Sequence, residues 1–162
     1  MTCHWIYYVT LSSALALTPA AHATAKRIPP AVQQAADRTP AILKAYLALH
    51  ASLVAGDAKW ATTHATALAA VSGAAPELAK SIANYPTDIA TQRKRFSAVS
   101  EAAIGLAARS GDAAAGLHVV FCSMAPGRWL QRGVLIKNPY YGKDMLTCGA
   151  VQGPPKDVPN AQ

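Results

Sequence analysis

The sequence predicts a mainly all-α domain, an antiparallel helical bundle that ends in an irregular C-terminal segment carrying cysteine and methionine. Three observations lead to this prediction. Apolar residues recur at spacings of three and four through the middle of the chain, alanine is abundant there, and turn-forming residues interrupt the pattern only at short joints. Alanine favours helix and lets helices approach closely. At 162 residues the chain has the length of a single domain.

The first two helices are predicted from their start signals and their apolar stripes. Residues 26–30 form a leader in which "IPP" opposes helix, so Thr39 is expected to be the N-cap and Pro40 the first helical residue. Gly56-Asp57 ends this helix and caps the next one. The expected apolar stripes are Leu43, Tyr46, Leu47, His50, Leu53 and Val54 on the first helix, and Trp60, His64, Leu68 and Val71 on the second.

Two further helices and an irregular region complete the pattern. "PELAKSIANY" predicts a short helix beginning at Pro76, and Thr87-Asp88 caps a long helix that "RSGD" ends. The apolar face of the long helix is expected to be Ile89, Phe96, Val99, Ala103 and Leu106. After Gly116, "LHVVF" is typical of a short strand, and the breaker residues that follow predict turns with one more strand at most and a single helical turn.

The N-terminus has the pattern of an export signal. An apolar run from Trp5 to Ala20 precedes "AHA", whose small residues fit signal-peptidase cleavage after Ala23. The run falls short of the roughly 20 apolar residues that cross a bilayer, and Pro19 interrupts it. We therefore expect a signal peptide over 1–23, a domain over 24–152, a loose tail over 153–162, a periplasmic location and no stable membrane span after cleavage.

Charge gives a weak indication of partners. The formal net charge is +7, but the basic residues are scattered. The one cluster, "RKR" at 93–95, covers consecutive helical positions and is interpreted as a solvated helix face rather than a nucleic-acid site. We expect no nucleic-acid partner.

Two pairs of sulfur residues lie in the irregular region. Cys122 and Met124 are two apart and share one side of an extended segment, whereas Met145 and Cys148 are three apart and share one face of a helical turn. Thiolate and thioether are soft ligands that suit Cu(I). Hard cations prefer oxygen, and zinc makes little use of thioether, so both are disfavoured here.

The same stretch, "FCSMAPGRWLQRGVLIKNPYYGKDMLTCGAV", resembles the signature of a helical domain of formerly unknown function. That domain occurs alone in exported bacterial proteins and at the C-terminal end of periplasmic adaptors of copper and silver efflux pumps. The first helix, around "AYLALHASLVAGD", is also similar to the family. The matching positions are Cys122, Met124, Ala125, Trp129, Leu130, Ile136, Asn138, Pro139, Tyr140, Tyr141, Gly142, Met145, Leu146, Cys148 and Gly149. Ser123 departs from the family's proline, and the loop before Trp129 is shorter. The resemblance implies a helical bundle that handles copper or a related soft metal such as Ag(I).

Structural interpretations of the same residues stay open. Two cysteines in an exported protein most often form a disulfide, and a Cys122–Cys148 bridge would stabilise the fold by about 3 kcal/mol in the chain-entropy model. Methionines commonly fill gaps in cores. Trp129 is a candidate to shield the metal by cation–π attraction, although packing of the loop is its usual role. His118 is an additional candidate ligand, but it needs a bend in the strand to reach Cys122.

The remaining chemistry favours binding over catalysis. His50 and His64 fall on apolar stripes, where a hydrogen-bonded core histidine is the usual outcome and a second metal site the less common one. There is no HExxH, nucleophile elbow or Cys-x-x-Cys pattern. The sequence thus predicts an exported non-enzymatic Cu(I)-binding protein that buffers the ion or passes it to an efflux or copper-delivery partner. The alternative is a disulfide-stapled helical interaction module of the envelope with no metal.

Overall fold

The described part of the chain folds into four α-helices followed by a small three-stranded sheet. The computed structural model describes residues 30–125 and 127–159, so the expected signal peptide and its cleavage site lie outside the described residues. The helices are α1 (Pro30–Ala55), α2 (Ala58–Val71), α3 (Pro76–Ile82) and α4 (Ile89–Ala108). The mainly helical prediction is confirmed. The C-terminal part is less irregular than expected.

The predicted start signals of α2 and α4 are confirmed in atomic detail. Asp57 Oδ1 accepts the backbone N–H of Trp60 at 3.0 Å, and Asp88 Oδ1 accepts that of Thr91 at 2.9 Å. Each carboxylate satisfies one of the N–H groups that a helix N-terminus leaves without an intrahelical partner. Pro76 opens α3 in the first turn, as expected.

The predicted start of α1 is wrong. The helix begins at Pro30 and runs through Pro40, which therefore lies in its interior and not at its first position. Proline removes one helical hydrogen bond, but the residues before it, "AVQQAAD", include three alanines and two glutamines, which are good helix formers. Here their propensity and the packing of the helix outweigh the local proline signal. Thr39 is a buried helical residue.

The helices share one hydrophobic core. Tyr46, Leu53, Phe96 and Val99 are fully buried, and the Tyr46 and Phe96 rings stack with centroids 5.4 Å apart. The stripe predicted for α2 is displaced, because the buried face consists of Ala61, Ala65 and Leu68. Small side chains let α2 approach α1 closely across the two-residue joint, which leaves the bulky Trp60 outside, 56 % exposed and stacked on His64.

The last quarter of the chain contains a three-stranded sheet, where the sequence predicted an irregular segment with at most two strands. Strands β1 (Leu117–Phe121), β2 (Trp129–Arg132) and β3 (Ala150–Gly153) form an antiparallel sheet in the order β2-β1-β3. Only β1 has the composition of a strand. The polar or glycine-containing β2 and β3 pair with its two edges, and such pairing depends on the neighbouring strand more than on intrinsic propensity.

Two polar links hold the sheet region to the helices. The Tyr46 hydroxyl lies 2.5 Å from Ser100 Oγ of α4 and accepts the backbone N–H of Leu130 in β2 at 3.0 Å. Arg128, just before β2, forms a two-pronged pair with Glu101 of α4, with N–O distances of 3.1 and 2.6 Å. The sheet is thereby fixed in place relative to α1 and α4.

Candidate functional site

The sheet brings the two cysteines together. Cys122 follows β1 directly and Cys148 comes two residues before β3, and in the antiparallel register Phe121 faces Ala150. Both cysteines therefore leave the same end of one strand pair. Their Sγ atoms are 2.7 Å apart, and no disulfide bond joins them in the structure. The two cysteines are 26 positions apart in the sequence, and strand pairing closes the segment between them.

The pKa values of the two thiols are shifted in opposite directions. Burial raises the pKa of Cys122, but hydrogen bonds from the Cys148 thiol, from the backbone N–H groups of Met124 and Ala125 and from the Asn138 amide outweigh burial and leave the pKa below its ordinary value. The pKa of Cys148 is raised, first because its thiol donates to Cys122 and then because of burial. Cys122 is thus the sulfur that ionises first, and the thiolate is the form that binds metals or attacks a disulfide.

Asn138 organises the chain around this sulfur pair. Its side chain is fully buried; Nδ2 donates to the Cys148 carbonyl at 3.0 Å, and Oδ1 accepts the backbone N–H of Tyr140 at 2.9 Å. Its own N–H donates to the Leu146 carbonyl at 2.7 Å. The amide of Asn138 in the "NPYYG" turn thus returns the chain towards Cys122, a role that the sequence alone indicated only through the tendency of Asn to bond nearby backbone.

Each methionine lies in a backbone turn that also contains a cysteine. The Cys148 N–H donates to the Met145 carbonyl at 3.1 Å, at the end of a 3₁₀ turn over Gly142–Met145, and the Ala125 N–H donates to the Cys122 carbonyl at 3.0 Å in a turn that contains Met124. Met145 is half-buried. Met124 is 62 % exposed, and its carbonyl accepts the Tyr141 hydroxyl. Coordination by the two thioether sulfurs stays a prediction.

A cavity of about 490 Å³ opens beside Met124. It is lined by Met124, Ala125, Tyr140 and Tyr141 on one side and by Ala90, Arg93 and Lys94 of α4 on the other. The exposed Met124 side chain, beside two tyrosine rings, is open to solvent and to an approaching partner. No signal in the sequence predicted this cavity, because α4 and the "NPYYG" turn are far apart along the chain.

Trp129 has the packing role and also lies beside the cysteines. It is fully buried, its Nε1 donates to Gln131 at 3.0 Å, and its ring meets Tyr140 edge-on at 5.9 Å. A methyl group added to Gly149, the residue after Cys148, would lie 3.0 Å from the Trp129 ring. The indole therefore forms an apolar wall next to Cys148, and a glycine is needed there for it to fit.

The structure does not bring His118 to the cysteines. The residue lies near the other end of β1 from Cys122, and it lines a separate cavity of about 340 Å³ together with residues 114–117 and 154–156. The bend that would turn its ring towards Cys122 is missing because β1 runs extended, apart from a bulge between Val119 and Val120. In the described residues no three His, Cys, Asp or Glu side chains group in a way that could hold a metal ion.

His50 and His64 have separate partners. His50 Nε2 contacts the Lys137 carbonyl at 2.9 Å, and His64 Nδ1 contacts Ser52 Oγ at 2.8 Å. Burial lowers the pKa of His50 to about 4, so the ring is neutral near pH 7. His50 has the hydrogen-bonded core role, and His64 is hydrogen-bonded at the edge of the fold.

The interpretation of "RKR" as a solvated face is wrong for its first member. Arg93 is half-buried, and its Nη2 donates to the Leu53 carbonyl near the end of α1 at 3.0 Å. A methyl group on Gly142 would lie 2.5 Å from the same Nη2 atom. Arg93 therefore packs between α1 and the "NPYYG" turn. Arg95 is exposed and donates to the carbonyl of Ser81, in the last turn of α3.

Comparison of the chain with protein-family models, with curated proteins and with solved structures finds no match. Within the part of the chain that the structure describes, no helix combines the length and the apolar character that a membrane crossing requires.

Proposed function

We propose that this chain is an exported protein that binds Cu(I), and by the same chemistry Ag(I), through Cys122, Met124, Met145 and Cys148. The observation that carries the proposal is the meeting of the two cysteine sulfurs, 2.7 Å apart, just after β1 ends and just before β3 begins. Thiolate and thioether are the donors that Cu(I) selects. The resemblance of residues 121–151 to a domain of copper and silver efflux adaptors supports the same assignment.

The pKa shifts of the two cysteines support metal binding. Cys122 is the readily formed thiolate and supplies the first bond, and metal binding then releases the proton of Cys148. Two sulfurs that share one ion at metal–sulfur bonds of about 2.3 Å must separate by about 1 Å or more. Cys148 can move more easily than the buried Cys122 because it is half-buried and Gly149 follows it. The Met124 and Met145 thioethers complete the donor set and allow stepwise transfer to an efflux or copper-delivery partner.

A competition titration tests this function. The reduced protein is titrated with Cu(I) against a colorimetric Cu(I) chelator, and we expect one equivalent bound. Cys148→Ser should weaken binding at least about 100-fold, since loss of one strong contact of about 2.7 kcal/mol has this effect. Met124→Leu and Met145→Leu each keep the apolar volume and should weaken binding by a smaller factor. Ser123→Ala, an exposed neighbour without sulfur, is the matched control and should bind as the wild type does.

The same sulfur contact favours a second candidate, a disulfide-stapled interaction module with no metal. Removal of two hydrogens from the thiols joins the sulfurs, and an export compartment supplies the oxidant. Two measurements together distinguish the two functions: the number of free thiols in the protein as isolated, and the Cu(I) titration after reduction. Absence of free thiols, combined with absence of Cu(I) binding after reduction, would refute the metal function and leave the interaction module.

A further inference from the structure

The loop between β2 and the "NPYYG" turn exposes apolar side chains at a fixed position. In this loop, which we call the apolar tip (Gly133–Leu135), Val134 is 62 % exposed and Leu135 is 80 % exposed, the highest value among the large hydrophobic side chains of the described residues. Ile136, the next residue, packs against the core. The chain therefore buries one aliphatic side chain and directs two others into solvent.

The tip is held rigidly by a single buried amide. Gln131 is 2 % exposed; its Nε2 donates to the carbonyls of Gly133 at 3.1 Å and Leu135 at 2.7 Å, and its Oε1 accepts the Lys137 N–H at 3.0 Å. The Gly133 N–H also donates to the Gly116 carbonyl at 3.3 Å. An ordered loop that keeps adjacent Val and Leu side chains in water is unfavourable unless something covers them.

Cations flank the tip on both sides. Arg132 and Lys137 are exposed, and the sequence "RGVLIK" contains no acidic residue. Both cations also line a groove of about 400 Å³ that continues from the tip along α1 past Leu47, Ala51 and Val54, and no carboxylate is among its lining side chains in the described residues. His50, also in the groove, is kept neutral by burial, which lowers its pKa. The surface thus has an apolar point with positive charge on either side.

We propose that the apolar tip is a membrane-docking element that inserts Val134 and Leu135 into an anionic lipid surface while Arg132 and Lys137 bind lipid phosphates. The size of the patch selects this occupant. A stable protein interface buries about 800 Å² per partner, far more than two side chains supply. A lipid surface needs only shallow insertion together with positive charge, and the net charge of +7 adds long-range attraction. This proposal is independent of the metal function.

Vesicle flotation tests the docking element. The protein is purified in the processed form that the cell produces, and its N-terminal residue is determined by mass spectrometry. Every variant is tested in the form that begins at this same residue. We expect wild-type protein to float with vesicles of phosphatidylethanolamine and phosphatidylglycerol, and much less with phosphatidylcholine alone. The double variant Val134→Ser/Leu135→Ser should bind at least about tenfold more weakly. Arg132→Gln/Lys137→Gln should bind about 30-fold more weakly, with a smaller dependence on salt.

Two controls distinguish binding by the apolar tip from nonspecific binding through other exposed apolar or basic side chains. Val151→Ser removes another exposed aliphatic side chain, and Lys59→Gln/Lys80→Gln removes two exposed cations elsewhere. Both should bind close to the wild-type level. The proposal is overturned if the lysine control loses as much binding as Arg132→Gln/Lys137→Gln, or if the tip variant floats as well as the wild type. It is also overturned if the tip variant changes the oligomeric state or a protein contact but leaves vesicle binding unchanged.

Discussion

Replacement of Gly142 by alanine should cost more stability than the same change at another left-handed glycine. Gly142 has φ +58°, and its added methyl would lie 2.5 Å from Arg93 Nη2. Gly133 has φ +73° and no atom within 4 Å of its added methyl. The two substitutions therefore share the backbone strain of alanine at positive φ, about 1–2 kcal/mol, and differ in the presence of the guanidinium.

The difference in magnitude follows from the hydrogen bond that the methyl displaces. Arg93 Nη2 donates to the Leu53 carbonyl, and a hydrogen bond of a charged group contributes about 1.5–3 kcal/mol. Because Arg93 is only half-buried, water compensates part of the loss, and we take the lower end. We expect the free energy of unfolding to fall by about 3 kcal/mol for Gly142→Ala and by about 1–2 kcal/mol for Gly133→Ala.

Urea unfolding of the reduced protein, followed by helical circular dichroism, measures both values. The Arg93→Ala background supplies the decisive comparison, since without the guanidinium Gly142→Ala should cost no more than Gly133→Ala does. The reasoning is refuted if Gly142→Ala and Gly133→Ala cost the same in the wild-type background. It is equally refuted if the extra cost persists without Arg93.

Two further predictions concern protons. The pKa of His50 is about 4 in the fold, below the ordinary histidine value of 6.5, so the unfolded chain binds the proton more tightly. Stability should therefore be complete above pH 6.5 and fall by about 3 kcal/mol as the pH drops to 4, whereas His50→Gln, which keeps a donor for Lys137, should show no such slope in its urea midpoints. At the cysteine pair, the alkylation rate of Cys122 against pH should have its midpoint below the ordinary thiol value of about 8.5. Asn138→Ala should raise that midpoint because the amide no longer stabilises the thiolate, whereas Ser123→Ala should leave it unchanged; a midpoint unmoved by Asn138→Ala would contradict the assigned role.

Local signals in the sequence predicted what depends on local chemistry. Asp57 and Asp88 bond the first turn of the helix that each begins, so their effect is contained within a few residues. The helical period of α4 likewise placed Phe96, Val99 and Ala103 in the core. Pro40 shows the limit of such signals, because a residue that suits a helix start also lies within a helix when the residues before it favour that state.

Contacts between distant segments could not be predicted in the same way. The strand β3 has no apolar pattern of its own and exists because β1 offers it a free edge, and that pairing sets Cys148 beside Cys122. Arg93 was assigned to solvent because its charge and its neighbours indicated a surface, but the carbonyl at the end of α1 and the absence of a side chain at Gly142 give it a partly buried place. Both outcomes depend on residues more than 25 positions apart.

The phenol of Tyr46 makes the short strands and the long helices one cooperative unit. A single oxygen contacts a serine of α4 and receives a backbone amide of β2, and it sits where no water reaches. Peeling the sheet away would break this hydrogen bond and expose the buried Tyr46 and Leu130 side chains to water, so partial opening is costly and the two layers should melt together. The small sheet that carries the cysteines should therefore unfold only when the helices unfold.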